Sequence, residues 1–195
     1  MISNICRRLA AAVSAALLAA AIGSAAMAGP VADKAAEAEA LLGQGDPARA
    51  LSAFDEALDA FWGAMPLSVR TALFADSVSA YGKYQARSGA TFRPGDTLTV
   101  YLEPVGYGFV SAAGLYRVAF DATLEIRTPG GLVLGKSDDF GKLVWSGRAK
   151  SHEVHLAVSL PLPALKAGNY ELALTLTDDA TGKSATAALP FTVAE

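Results

Sequence analysis

The side chains that could do chemistry are few and poorly spaced for it. The chain contains two histidines, His152 and His155, and a single cysteine, Cys6. A nucleophilic triad needs a serine or cysteine beside a histidine and an acid. The two histidines are three residues apart on a predicted strand, which sends them to opposite faces and away from a shared zinc ion. We therefore predict no catalytic residue, no bound metal and no cofactor.

Acidic side chains offer two further possibilities. The pairs at 138–139 and 178–179 could bind calcium in loops of a sandwich, but no Asp-x-Asp-x-Asp-Gly run is present and turns favour aspartate anyway. Glu103, Asp121 and Glu125 occupy outward positions of predicted strands, where a solvated face is the ordinary interpretation. A hydrolase with dispersed carboxylates, Glu103 among them, is therefore the last-ranked alternative.

Five side chains make up the predicted binding surface. Tyr101 and Glu103 alternate with apolar residues of one strand, so both are expected to point outward. Tyr107 and Phe109 follow in a glycine-flanked exit, and Trp145 lies on a later strand or loop. Exposed aromatic side chains on a sandwich contact sugars or protein partners. The alternative is that they cover a seam between the sandwich and the helices that precede it.

Alternation of apolar and polar residues dominates the second half of the chain. Each alternating segment places one face in a core and the other in water, the mark of antiparallel sheets. Pro-Gly, Ser-Gly and Asp-rich turns separate these segments. Seven or eight short strands in this half of the chain predict a mainly β fold, an antiparallel immunoglobulin-like β-sandwich. The segments are 97–103, 116–127, 153–160, 170–177 and 189–193.

The last two strands carry a resemblance in architecture. Residues 165–170, followed by a strand, a turn and a final strand, resemble the closing hairpin of an immunoglobulin-like or fibronectin-III-like domain. In that position Tyr170 implies a tyrosine corner, with its ring packed inward and its hydroxyl bonded to nearby backbone. The Cys-Trp-Cys signature of antibody-type domains is absent. The resemblance therefore implies an architecture and no function.

A second resemblance covers 92–104, with the pattern Phe-x-Pro-Gly-x-x-Leu-x-x-Tyr-x-Glu-Pro. This pattern is similar to one in uncharacterised exported bacterial proteins, in which it precedes a glycine- and aromatic-rich run. No activity is attached to the pattern. It therefore implies an exported protein and no mechanism.

Residues 29–66 are predicted to form a helical hairpin. Gly43 to Pro47 breaks two helical stretches, and the second stretch has a stripe of apolar residues at spacings of three and four. Residues 41–58 resemble a single tetratricopeptide hairpin, but no second copy follows, and at least three repeats are usually needed. The hairpin is therefore expected to bury its apolar face on the following domain, 67–195, or on a partner. That face comprises Ala50, Leu51, Phe54, Leu58, Phe61 and Trp62.

The first 28 residues have the form of a secretory signal peptide. Arg7 and Arg8 precede an alanine- and leucine-rich run that ends in Ala26-Met27-Ala28, a small-x-small cleavage site. Residues 1–28 contain these two arginines and no acidic residue, so the formal net charge is −3 for the full chain and −5 for the chain without them. A negative net charge disfavours binding to nucleic acid, because the phosphates are also negative. We expect a periplasmic or secreted protein with no membrane span after cleavage.

These expectations lead to two functional hypotheses. The first is a non-catalytic protein–protein interaction or structural module that binds another protein of the cell envelope. The second is a small-ligand or carbohydrate binder that uses the exposed aromatics Tyr101, Tyr107 and Trp145.

Overall fold

The computed structural model describes residues 29–195, apart from the side chain of Asp139. Two helices packed together precede two β-sheets that form a sandwich. The mainly β fold with an N-terminal helical pair is therefore confirmed. The predicted signal peptide, residues 1–28, lies outside the described residues. No helix within the described part of the chain is long and apolar enough to cross a membrane.

The two helices are α1 (Pro30–Gly43) and α2 (Pro47–Ala64), and the break between them lies in the predicted segment, Gly43 to Pro47. Proline opens each helix at a position where its missing N–H costs nothing. The Asp46 carboxylate accepts the backbone N–H of Arg49 at 3.2 Å and so caps the start of α2. Small side chains pack the helices against each other, with a buried cluster of Ala38, Leu41, Ala50 and Ala53.

Ten strands follow within the described residues. Residues 69–75 are part of β1, and Tyr81 and Gly82 form the turn between β1 and β2. The strands are β1 (Ser68–Ala80), β2 (Lys83–Ala86), β3 (Thr91–Phe92), β4 (Thr97–Val105), β5 (Val110–Ala112), β6 (Leu115–Arg127), β7 (Val133–Gly147), β8 (Leu156–Pro161), β9 (Gly168–Asp178) and β10 (Ser184–Val193).

The strands form two sheets. The first has the order β2-β1-β4-β8, and the second has the order β3-β10-β9-β6, with β5 and β7 also paired to β6. The β3–β10 pair is parallel, and the other pairs are antiparallel. The core between the sheets contains alternate residues of both. Leu98, Val100 and Leu102 come from β4, Phe120 from β6, and Leu172, Leu174 and Leu176 from β9.

The chain divides into two compact units within α2. The first ends at Ala57 and the second runs from Leu58 to Glu195. The sequence placed this boundary later, between residues 66 and 67. The difference arises because Trp62, in the last part of α2, packs against the sandwich core of the second unit.

The closing hairpin of the sandwich has the predicted tyrosine contact. The Tyr170 hydroxyl donates a hydrogen bond to the backbone carbonyl of Lys166 at 2.7 Å. Its ring packs 5.6 Å from that of Phe191, at the border of the core. The contact fixes the loop before β9, as the resemblance implied.

Candidate functional site

The predicted binding surface is largely buried. Tyr101 and Tyr107 have relative exposures of 0% and 1%, and Glu103 has 7%. The expectation that these three side chains point into solvent is therefore wrong. Phe109 and Trp145 are half-buried.

Tyr101 is buried because a second element covers its side of the sheet. It lies on the face of β4 opposite the sandwich core, as alternation predicted. The turn between β1 and β2 folds over that face, and the Gly82 backbone N–H donates to the Tyr101 hydroxyl at 2.8 Å. The rings of Tyr84 and His155 lie 4.2 and 5.8 Å from the Tyr101 ring. This environment raises the pKa of Tyr101 to about 12, mainly through burial.

Glu103 is the centre of a hydrogen-bond network under the same cover. One carboxylate oxygen accepts the Tyr101 hydroxyl at 2.7 Å. The other accepts the Thr71 hydroxyl at 2.9 Å and the Arg70 guanidinium at 3.2 Å. Burial alone would raise the pKa of the Glu103 carboxyl, but these hydrogen bonds and the Arg70 charge hold it below its usual value. Both carboxylate oxygens of Glu103 thus accept hydrogen bonds from the protein itself, so the network is structural and not an open ligand site.

Tyr107 and the end of α2 form an aromatic cluster of the second unit. The Tyr107 hydroxyl donates to the Ser151 carbonyl at 2.7 Å, and the Trp62 indole N–H donates to the Tyr107 carbonyl at 2.9 Å. The Tyr107 ring lies 5.1 Å from that of Trp62 and 5.5 Å from that of Phe109. Burial raises the pKa of the Tyr107 hydroxyl. These residues stabilise the fold at this end of the sandwich.

The glycines beside Tyr107 serve close packing. Gly106 has a φ of +80°, and a Cβ there would lie 2.4 Å from the Pro66 carbonyl oxygen. A Cβ on Gly108 would come within 2.7 Å of the Ala180 Cβ. The segment's glycines therefore reflect tight backbone contacts and not a ligand loop.

The aspartates at 178 and 179, which were considered for calcium, are also bound by protein partners. Asp178 is fully buried, and its carboxylate accepts the Gly108 N–H at 2.9 Å and the Thr181 hydroxyl. Asp179 pairs with Lys142 at 2.6 Å, which lowers the pKa of its carboxyl. Among the side chains that the structure describes, no three histidine, cysteine or acidic groups gather in a way that could hold a metal ion.

The two histidines and Trp145 lie in separate places. His152 packs edge-on against Trp62 at 4.4 Å, whereas His155 packs on Tyr101. Trp145 lies on β7 opposite Val118 of β6 and is packed against the sandwich core. The five predicted site residues thus form two pairs, Tyr101 with Glu103 and Tyr107 with Phe109, and Trp145 has no described ring contact with either.

The helices carry an exposed apolar surface that the sequence did not predict as open. Leu42, Leu51 and Phe54 have relative exposures of 63%, 61% and 56%. They line a groove of about 360 Å³ between α1 and α2, which we call the hairpin groove. Its other lining residues are Ala35, Ala38, Glu39, Pro47 and Ala50.

The large side chains face outward because alanines occupy the helix contact. Ala50, Ala53 and Ala57, at spacings of three and four, are the buried residues of α2. Of the predicted apolar face, Leu51, Phe54 and Phe61 are exposed, and burial of this face on a partner stays a prediction. The alanine spacing was the signal in the sequence, because small residues let two helices approach closely and displace larger neighbours outward.

The charges near the hairpin groove are acidic. Glu39 lines it, and Asp55 follows Leu51 by one helical turn. Neither carboxylate has an ion pair among the described residues. The two basic residues of the hairpin form ion pairs with other carboxylates. Lys34 lies 2.9 Å from Glu37 and 2.7 Å from Glu56, and Arg49 lies 3.8 Å from Asp46.

Comparison with known proteins finds only distant likeness. No protein-family model matches the sequence, and no curated protein is significantly similar. Among solved structures, CopC from Methylosinus trichosporium OB3b is 16% identical, with a TM-score of 0.30, over 63% of this chain and 93% of that chain. An AA10 lytic polysaccharide monooxygenase from Streptomyces lividans is 19% identical, with a TM-score of 0.34, over 55% of this chain and 60% of that chain. The sulfur carrier protein SoxY from Chlorobium limicola f thiosulfatophilum is 14% identical, with a TM-score of 0.24, over 72% and 96%. Likeness at this level assigns the chain to no family.

Proposed function

We propose that this chain is a non-catalytic protein-binding module of the cell envelope and that the hairpin groove is its contact surface. The observation that carries the proposal is the exposure of Leu42, Leu51 and Phe54 around one groove. Single exposed apolar residues are ordinary, but a contiguous group marks an interaction site. The envelope location rests on the signal-peptide pattern of residues 1–28.

Burial of these side chains would stabilise a complex substantially. Each large apolar side chain contributes about 1.5–3 kcal/mol when it is moved fully out of water. A helix from a partner, laid along the groove, would cover all three side chains at once. The groove therefore has the shape and the composition of a helix-binding surface.

The second exposed apolar run is a weaker candidate. Leu132, Val133 and Leu134 are exposed at the start of β7. Leu132 precedes the strand, and Val133 and Leu134 point to opposite faces of it, so these three side chains do not share one face. Lys136 and Lys142 further along β7 are charges typical of a protected edge strand.

Binding of a small ligand or a carbohydrate is less well supported than protein binding. That hypothesis required Tyr101, Tyr107 and Trp145 to present their rings to solvent. Tyr101 and Tyr107 are buried and lie under different contacts. The groove of the helical hairpin is open, in contrast, and needs no rearrangement to accept a partner.

Site-specific photo-crosslinking in the native host tests the proposal. A photoreactive amino acid at Leu51 should crosslink one identifiable protein, and the same protein should be captured from Leu42. The adjacent exposed position Ser52 serves as the matched control, since its side chain bonds the Ala48 carbonyl and does not line the groove. Equal capture from Ser52, or no protein common to Leu51 and Leu42, would contradict the proposal.

A further inference from the structure

We propose that the occupant of the hairpin groove is an amphipathic helix of another protein with basic residues flanking its apolar face. This inference rests on the proposed function and adds the chemical class of the partner. Two observations carry it: the shape of the groove and the sign of the charges at its rims.

The groove is built as the complement of a third helix. Its α1 wall consists of residues 35, 38, 39 and 42, and its α2 wall of residues 47, 50, 51 and 54. Each wall is a stripe at helical spacing, so the two stripes run side by side along the hairpin. Ala35, Ala38 and Ala50 provide a shallow floor, which lets the backbone of another helix approach closely.

The rims select the charge of that helix. Glu39 lies on the α1 side and Asp55 continues the row of Pro47 and Leu51 on the α2 side. Lys34 continues the row of Ala38 and Leu42 on the α1 side, but its charge is paired with Glu37 and Glu56, and Arg49 is paired with Asp46. Each rim therefore offers a carboxylate to a lysine or arginine of the incoming helix, which favours that partner over an acidic one.

The same charges disfavour a second copy of this chain as the occupant. In a two-fold interface the same patch of both copies meets. Two hairpin grooves would then bring Glu39 and the nearby Asp55 of both copies into one contact, while Lys34 and Arg49 are already paired with other carboxylates. Like charges at an interface oppose association.

Fluorescence anisotropy with two synthetic peptides tests this inference on the mature chain, residues 29–195. Both probes are amphipathic helices of about 18 residues, long enough to span roughly 27 Å, with leucine on one face. One probe has lysine flanks and the other glutamate flanks. We expect the lysine peptide to bind at least about tenfold more tightly, with the difference narrowing as salt rises from about 0.05 M to about 0.5 M.

Variants assign the effect to the groove. Glu39→Gln/Asp55→Asn should remove most of the preference for the lysine peptide. Asp33→Asn/Glu153→Gln removes the same net charge from positions outside the groove and should leave the preference intact. Leu51→Asp should abolish binding of both peptides, and circular dichroism checks that each variant remains folded.

Three results would overturn the inference: equal affinity for the two peptides, binding of neither, or an unchanged preference in Glu39→Gln/Asp55→Asn. Dimerisation of the wild-type chain in sedimentation, lost in Leu51→Asp, would identify a second copy as the occupant instead. If crosslinking from Leu51 still captures its own partner in any of these cases, the proposed function stands and only the basic class is rejected.

Discussion

The Glu103 carboxylate accepts hydrogen bonds from β1 and β4 at once, through Arg70, Thr71 and Tyr101. Hydrogen bonds to a charged group are stronger than those between neutral groups. The turn at Gly82 closes over the same network through the Tyr101 hydroxyl. Glu103 therefore joins three separate segments of the first sheet, and its charge state bears on their stability.

We predict that Glu103→Gln lowers the free energy of unfolding by about 1–3 kcal/mol at neutral pH, because it removes a buried charged acceptor. The folded-state pKa of Glu103 lies below the usual 4.5. Its stabilising contribution is therefore complete above pH 4.5 and is lost as the pH falls through the folded value. Chemical denaturation at a series of pH values should show a smaller loss of stability at acid pH in Glu103→Gln than in the wild type.

Asp76→Asn provides the control, since Asp76 forms an exposed ion pair with Arg87 at 3.3 Å. Surface pairs contribute about 0–1 kcal/mol, so this variant should remain close to the wild type. An acid dependence that is the same in Glu103→Gln and in the wild type would contradict the role given to Glu103.

Gly106 and Gly114 separate two costs of adding a side chain. Both have positive φ, +80° and +74°, but only Gly106 has a neighbour where its Cβ would be. We predict that Gly114→Ala costs about 1–2 kcal/mol of stability from the backbone conformation alone. Gly106→Ala should cost about 1–3 kcal/mol more, because Cβ would overlap the Pro66 carbonyl. Thermal denaturation measures both, and equal losses would argue against the close contact.

At the scale of elements, Lys183 holds the carboxyl end of α2. Its ammonium group donates to the backbone carbonyls of Gly63 at 2.9 Å, Met65 at 2.6 Å and Gly106 at 3.4 Å. The last carbonyls of a helix have no partner within the helix. A cation there also interacts favourably with the helix dipole. The turn between β9 and β10 thereby fixes the end of a helix far from it in sequence.

We predict that Lys183→Met lowers the free energy of unfolding by about 1–3 kcal/mol, because three carbonyls lose a charged donor. Hydrogen exchange should speed up in the last turn of α2. Lys166→Met is the control, since the Lys166 side chain is exposed and has no hydrogen bond among the described residues. Unchanged exchange in Lys183→Met would contradict the capping role.

The sequence predicted the strands better than it predicted which segments cover the faces of the sheets. Alternation in β4 assigned Leu98, Val100 and Leu102 to the core and Tyr101 to the other face, and both assignments hold. Alternation says which side of a sheet a residue occupies, but not whether another segment folds over that side. The turn at Gly82 covers Tyr101 in this way.

The helical hairpin shows that side-chain size, as well as hydrophobicity, decides which residues pack between helices. The spacing of Leu51, Phe54 and Phe61 predicted a buried face, since large apolar residues usually form the core. The buried residues of α2 are Ala50, which belongs to that face, and Ala53 and Ala57, which do not. Hydrophobicity alone ranks leucine and phenylalanine above alanine, whereas the close approach of two helices favours the smaller side chain. The sequence therefore left the cover of Leu51 and Phe54 open between the following domain and a partner, and it did not predict that both side chains line a groove between the helices.

At the scale of the whole molecule, α2 contributes to two compact units, with the division after Ala57. The part that follows supplies Trp62 to the aromatic cluster and Asp59, which pairs with Lys150. The stability of the sandwich therefore depends on residues outside its strands. A fragment that begins at Leu67 lacks both contacts.

We predict that Trp62→Ala lowers the free energy of unfolding by about 2–4 kcal/mol, somewhat below the cost for a fully buried tryptophan because Trp62 is half-buried. Its neighbour Phe61 is exposed, so Phe61→Ala should change stability by no more than about 0.5 kcal/mol. Urea denaturation of both variants makes the comparison. Similar losses in the two would contradict the packing of Trp62 against the sandwich core.

The central claim is that the hairpin groove binds a partner, and a pair of adjacent substitutions tests it most directly. Isothermal titration of the crosslinked partner would compare the wild-type chain with Leu51→Asp and Ser52→Asp. We predict that Leu51→Asp weakens binding by about a hundredfold, since it places a charge among Leu42 and Phe54, whereas Ser52→Asp binds within about threefold of the wild type. Full affinity in Leu51→Asp, or an equal loss in Ser52→Asp, would contradict the claim.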